Sequence, residues 1–148
     1  MHFWDQHKNI TLYYEALTKA ICDKYDLKQM EYDILMFLHF YPQYNKAADI
    51  VKIRKSTKSH VSTSLKVLEQ KGLIEKKQNS KDKKCIEIFL LKKSDEIIED
   101  GIDIQKKFMW DLFEGISEDE MKIFKDVFDK ICKNADNFLK ESDVEKNV

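Results

Sequence analysis

The sequence predicts a mainly α-helical protein with a small β-hairpin wing, a winged helix-turn-helix joined to helices of dimerisation. The first observation behind this is the scarcity of turn formers. Gly72, Gly101, Gly115 and the single proline, Pro42, are too few in 148 residues for an all-β chain built on tight turns or for a glycine-rich phosphate cradle. The second is periodicity: apolar residues recur at three- and four-residue spacing along most of the chain and alternate in one short stretch only. The third is that this stretch follows a glycine-stopped helix and is rich in lysine. Hydrophobic residues at 43% and charged residues at 36% give both a core and a polar exterior, as in an ordered globular chain of about one domain.

Ile10, Tyr13, Tyr14, Leu17, Ala20 and Ile21 mark one face of a first helix, from about Trp4 to Lys24. Tyr32, Leu35, Met36 and Phe40 mark a second, from about Lys28 to Phe40; Tyr41 ends it, because the residue before proline avoids helical angles. Ala47 to Val51 reads as a short helix. Lys55, Ser56 and Thr57 then form a polar turn in which Ser56 or Thr57 caps the next helix, which turns Val61, Leu65 and Leu68 inward and stops at Gly72. Leu73 and Ile74 start a strand, Gln78 to Lys84 is turn-like, and Ile86, Ile88 and Leu90 alternate with Cys85, Glu87 and Phe89 to complete a hairpin. A broad stripe through Ile97, Ile98, Ile102, Phe108 and Leu112 predicts a helix over about Ser94 to Glu114, closed by Gly115. Ser117 with Glu120 is a capping box opening a last helix, whose face carries Met121, Phe124, Phe128, Ile131, Phe138 and Leu139. The expected division is a dimerisation helix at 1–26, a winged lobe at 27–92, dimerisation helices at 93–141 and a flexible tail at 142–148.

The net charge is only −1, but residues 46–84 hold twelve basic and four acidic side chains, a local +8 set against −9 elsewhere. A lysine run is ordinarily just a solvated face; this one coincides with the turn, the following helix and the hairpin. In a helix-turn-helix the second helix enters the major groove, its N-terminal side chains reaching bases while its dipole favours phosphate. Ser59, His60, Ser62 and Thr63 are therefore expected near bases and Lys58 and Lys66 near phosphates, with Lys46 and Lys55 beside them. The hairpin tip places Lys81, Asp82, Lys83 and Lys84 along the minor groove or its phosphates. The expected partner is double-stranded DNA. The competing class is a winged-helix interaction module that sets the same charge against an acidic protein partner. The last helix carries more apolar area than a small winged lobe covers, which predicts a homodimer.

Cys22, Cys85 and Cys132 lie far apart and are odd in number, against both a disulfide framework and a paired-cysteine metal knuckle. The chain has no long apolar run, and its start lacks the basic-then-apolar order of a secretory signal, so a cytoplasmic location without membrane contact is expected. His39 with Glu31, Cys22 or Glu15 is a weaker metal set than an ordinary helix histidine. Ser59, His60 and Asp49 lie on DNA-facing elements with no sign of an oxyanion pocket. No enzyme, no metal and no cofactor are expected.

These residues resemble the MarR-type winged-helix transcription regulators, and the likeness spans nearly the whole chain. The stretch ADIVKIRKSTKSHVSTSLKVLEQKGLIEKK is similar to that family's helix-turn-helix, its ending LEQKGLIEK, Leu68 to Lys76, being the most characteristic part. The stretch DKKCIEIFLLKK resembles the family's wing, with Asp82 at the acidic position and Lys84 where arginine is usual. Lysine lacks the planar fork that suits arginine to minor-groove reading. Thr63 stands where many members carry arginine. The resemblance implies a homodimer with intertwined first and last helices, a palindromic operator, and repression relieved by a small molecule or an oxidant. It also implies a small aromatic effector between the first, second and fifth helices, for which Tyr13, Tyr14, Phe40, Tyr41, Phe108 and Trp110 are candidates, although such stripes are more often plain core. For an oxidant the nearest candidate is Cys22, although buried cysteines are commonly inert.

Overall fold

The computed structural model describes residues 2–146. Among them the order is α1 (Phe3–Gln6), α2 (Lys8–Tyr25), α3 (Gln29–Phe40), α4 (Ala47–Arg54), α5 (Lys58–Gln70), β1 (Ile74–Gln78), β2 (Ile86–Leu90), α6 (Asp95–Leu112) and α7 (Glu118–Lys146), with a 3-10 turn at Lys92–Ser94. They form two compact units, Met1–Leu112 and Phe113–Val148. No described helix is long and apolar enough to cross a membrane.

In the first unit α2 packs along α6, α3 lies on α5, and α4 is held between α5 and the hairpin. The core is centred on α3, whose residues from Glu31 to Leu38 are all buried. Tyr32, Ile34 and Leu35 there meet Ile50 of α4, Val61 and Leu68 of α5 and Ile74 of β1, all without appreciable exposure. Burying so many apolar side chains is the main term that holds the lobe together. α6 crosses α3 at Gly101, where an added Cβ would lie 2.5 Å from the Met36 sulfur and 2.9 Å from the Tyr32 hydroxyl oxygen. That close approach is the reason for glycine within a helix.

Local chemistry sets the boundaries. Asp26 closes α2 in the left-handed conformation, φ 52°. The Glu31 carboxylate accepts the Lys28 backbone N–H at 2.9 Å and so starts α3; Asp49 does the same for Lys46 and α4 at 3.3 Å. Gly72, φ 71°, follows α5 and turns the chain into β1. The hairpin is antiparallel, in register from Ile74 opposite Leu90 to Gln78 opposite Ile86. A third edge joins it: Ile88 N–H donates to the Asn45 carbonyl at 2.8 Å, and Lys46 bridges Glu87.

The second unit is dominated by α7. Ser117 Oγ accepts from Glu120 N–H at 3.2 Å while the Glu120 carboxylate accepts from Ser117 N–H at 2.8 Å, the reciprocal cap read from the sequence. The structure departs from the sequence expectation at both ends. The first helix is two segments meeting at His7 rather than one. Residues 142–146, expected in a flexible tail, continue α7, where Ser142 Oγ donates to the Phe138 carbonyl at 2.9 Å. No glycine or proline interrupts that stretch. Residues 147–148 of the expected tail lie outside the described residues.

Candidate nucleic-acid interface

Thr57 begins the candidate recognition helix: its Oγ1 accepts the His60 backbone N–H at 3.2 Å, satisfying one of the free donors at the α5 N-terminus. Val61, Ser64, Leu65 and Leu68 are buried. This fixes the rotation of α5 and leaves Lys58, Ser59, His60, Ser62, Thr63 and Lys66 exposed. Ser59, Ser62, Thr63 and Lys66 follow helical spacing and so share one face. The preceding turn is tight because Lys55 takes the left-handed conformation, φ 54°. Exposed Lys46 and Lys55 flank the two ends of α4.

The hairpin tip is built by side chains bonding backbone. Asn79 Oδ1 accepts from Lys81 N–H at 2.8 Å and Asp82 N–H at 3.2 Å, and its amide donates to Glu87 at 3.0 Å. Gln78 Nε2 donates to the Lys83 carbonyl at 2.7 Å. Asp82 Oδ1 accepts from the Lys84 backbone N–H at 3.1 Å. The acid therefore organises the loop through the main chain of Lys84, and the side chains of Lys81, Lys83 and Lys84 stay exposed. α4, the start of α5 and the hairpin converge on one largely apolar groove of about 530 Å³ lined by Ala47, Val51, Lys58, Ser62, Lys76 and Ile86 among others. Ile86 is 50% exposed and forms one wall of that groove, because only the inner end of the hairpin reaches the core.

Charge pairing divides the twelve basic residues of the segment into two groups. Arg54 pairs with Asp33 at 3.0 Å, Lys71 with Asp26 at 3.8 Å, Lys76 with Glu69 at 3.7 Å and Lys77 with Glu75 at 3.1 Å. Among the described residues Lys46, Lys52, Lys55, Lys58, Lys66, Lys81, Lys83 and Lys84 have no carboxylate partner. These eight cations lie on and around α4, the turn after it, α5 and the hairpin tip.

The aromatic candidates divide as well. Tyr13 and Tyr14 of α2 lie against Phe108 of α6, with ring centroids 5.9 and 5.4 Å apart. The Tyr13 hydroxyl donates to Asp111, and Tyr14 to Asp33. Phe40 and Tyr41 contact His39 and Phe37 instead, at the end of α3, and Trp110 is 81% exposed. Cys22 is buried, and burial followed by the nearby Asp33, Asp23 and Glu31 raises its thiol above the ordinary range. That is the reverse of what makes a thiol reactive. Among the described residues no group of three or more histidine, cysteine or carboxylate side chains is placed to hold a metal.

A family model described as the MarR family matches residues 25–84, from the end of α2 to the hairpin tip. No curated protein matches the chain in sequence. Among solved structures, the fold matches a putative MarR family transcriptional regulator from Listeria monocytogenes complexed with a 26mer DNA, at 23% identity and TM-score 0.82 over 94% of this chain and 93% of that one. It also matches the S. aureus MepR–DNA complex, at 21% identity and TM-score 0.79 over 90% and 96% of the two chains. A MarR protein from Peptoclostridium difficile gives 17% identity and TM-score 0.80 over 93% and 89%.

Proposed function

We propose that the chain, whose residues 25–84 match the MarR family model, is a winged helix-turn-helix regulator that binds a palindromic operator as a homodimer and acts as a repressor released by a small aromatic molecule. The observation that carries the DNA reading is the set of eight unpaired lysines around α5 and the wing. Uncompensated cations on elements that converge on one groove suit a polyanion with phosphates on two sides of a groove, and two of the similar solved structures are described as DNA complexes. Ser59, His60, Ser62 and Thr63 then choose the sequence, while Lys46, Lys55, Lys58, Lys66, Lys81, Lys83 and Lys84 set affinity and Asp82 shapes the wing tip. The aromatic seam of Tyr13, Tyr14 and Phe108 supports the effector reading. Burial of Cys22 favours a small molecule over an oxidant.

Selection of duplexes from a randomised library, followed by binding at several salt concentrations, tests this. A duplex with two inverted half-sites roughly 10 bp apart should emerge, and its affinity should fall by about 10³-fold or more between 50 and 200 mM salt. Equal retention of every duplex, or binding indifferent to salt, would refute it; tight capture of an acidic protein in place of DNA would favour the interaction-module reading.

A further inference from the structure

Arg54 is the only arginine in the chain and lies at the end of α4 within the net positive segment. By charge alone it belongs with the phosphate contacts. The geometry assigns it elsewhere. Its Nη2 donates to Asp33 Oδ2 at 3.0 Å, and the Asp33 side chain is only 11% exposed. The other carboxylate oxygen accepts from Gln29 Nε2 at 3.0 Å and from the Tyr14 hydroxyl at 3.2 Å. Gln29 Oε1 in turn accepts from the buried Thr18 hydroxyl at 3.0 Å. A single buried carboxylate therefore ties α2 through Tyr14, α3 through Gln29, and α4 through Arg54.

A carboxylate taken so far out of water is costly unless a charge and hydrogen bonds compensate it, and removing one partner leaves the other uncompensated. A guanidinium suits this place because it stays charged and holds its donors in a fixed plane. α4 carries Ile50 into the core against α3 and α5, and Lys55, Ser56 and Thr57 connect it directly to the capped start of α5. The pose of α4 thus sets where the α5 N-terminus points. Resting on the DNA-binding reading, we propose that Asp33 and Arg54 are positioning residues for sequence recognition. Arg54 acts from behind the DNA face, and Tyr14 is the arm through which the α2–α6 aromatic seam reaches the same carboxylate.

The test compares Arg54→Met, Arg54→Lys, Asp33→Asn and Lys58→Met on the duplex selected by the wild-type protein and on an unrelated duplex, across a salt series. Lys58→Met should weaken both duplexes and lower the salt slope by about one. Arg54→Met should weaken the selected duplex by about tenfold, the size of a lost base contact, with an unchanged salt slope and little effect on the unrelated duplex. Asp33→Asn keeps the shape of the side chain and should reproduce that loss. Combining it with Arg54→Met should cost little more than either alone, because both act through one node. Arg54→Lys keeps a cation for Asp33 and should fall between wild type and Arg54→Met, which serves where the methionine variant folds poorly. A salt slope lowered by Arg54→Met as much as by Lys58→Met, or additive losses in the double variant, would overturn the assignment while leaving the DNA reading intact. Absence of salt-dependent binding by the wild type would sink both.

Discussion

At the scale of single residues, stability and binding separate most cleanly at Lys55. A side chain in the left-handed region costs about 1 kcal/mol relative to glycine, because its Cβ crowds the following carbonyl. Lys55 takes that conformation at φ 54° where α4 ends. Lys55→Gly should therefore leave the unfolding free energy unchanged or raise it by up to about 1 kcal/mol. It should still lower the salt slope of DNA binding by about one, since an unpaired cation beside α5 is gone. Urea unfolding and a salt titration on the same preparation check both; a loss of stability, or an unaltered slope, would show that Lys55 serves the fold rather than the ligand. Tyr32 gives a second residue-scale expectation. Burial, followed by the charge of Asp33, pushes its phenol up to about 12 from an ordinary 10.0. The folded state then holds a proton that the unfolded chain releases, so this contribution is fully present below pH 10 and is lost as pH rises toward 12. Tyr32 alone should contribute a slope of about −1.4 kcal/mol per pH unit there. Denaturation at pH 8, 10 and 11 should show the decline, and Tyr32→Phe should make it shallower.

At the scale of elements, the helices and hairpin were legible because each repeats a period: three to four residues for α2, α3, α5, α6 and α7, two for β2. Caps were legible where their chemistry is local, as at Thr57, at Gly72 and between Ser117 and Glu120. The third edge of the sheet was not. A single bridge at Lys46 has no period, and its partner Glu87 lies some forty residues away. The division of the lysines into paired and unpaired sets was equally hidden, since Glu69 and Asp26 reach their partners through the fold. The same holds for Arg54, whose charge reads as part of the positive segment until Asp33 is seen beside it. For the wing, the sequence placed Lys81, Asp82, Lys83 and Lys84 at a tip, but not the bonds that shape it. Asn79 holds two backbone N–H groups there and donates to Glu87. Affinity and selectivity should consequently divide between the two elements. Lys81→Ala and Lys84→Ala should weaken all duplexes alike and lower the salt slope by about one each, whereas His60→Ala or Thr63→Ala should change the preferred base at particular operator positions. Parallel library selections with the four variants would show this division, and identical changes from both elements would contradict it.

At the scale of the whole molecule, the strongest constraint is an apolar surface that one copy of the chain leaves in water. Along α7, Ile123, Phe124, Val127, Phe128, Ile131, Phe138 and Leu139 are 44–67% exposed. Within the stripe Phe124 and Phe128 stack at 5.6 Å. Contiguous apolar area of this kind marks an interface, and a long amphipathic helix owes most of its stability to packing of its apolar face. Two copies meeting through this stripe would cover it, and the homodimer proposed above carries two copies of α5. Once one half-site is held, the other binds at high effective concentration, so pairing should raise affinity for a double site by about 10²-fold or more over a single site. A glutamate at Phe128 or Ile131 would bury unpaired charge at the centre of that contact. Phe128→Glu should therefore sediment as a monomer at concentrations where the wild type is a dimer. Its winged lobe should stay folded, because the core of residues 21–98 includes no side chain from α7. Its affinity for a single half-site should match the wild type, and its advantage on the double site should vanish. A variant that remained dimeric, or a wild-type protein monomeric at micromolar concentration, would place the interface elsewhere. A monomeric variant that kept full affinity for the double site would separate dimerisation from recognition altogether.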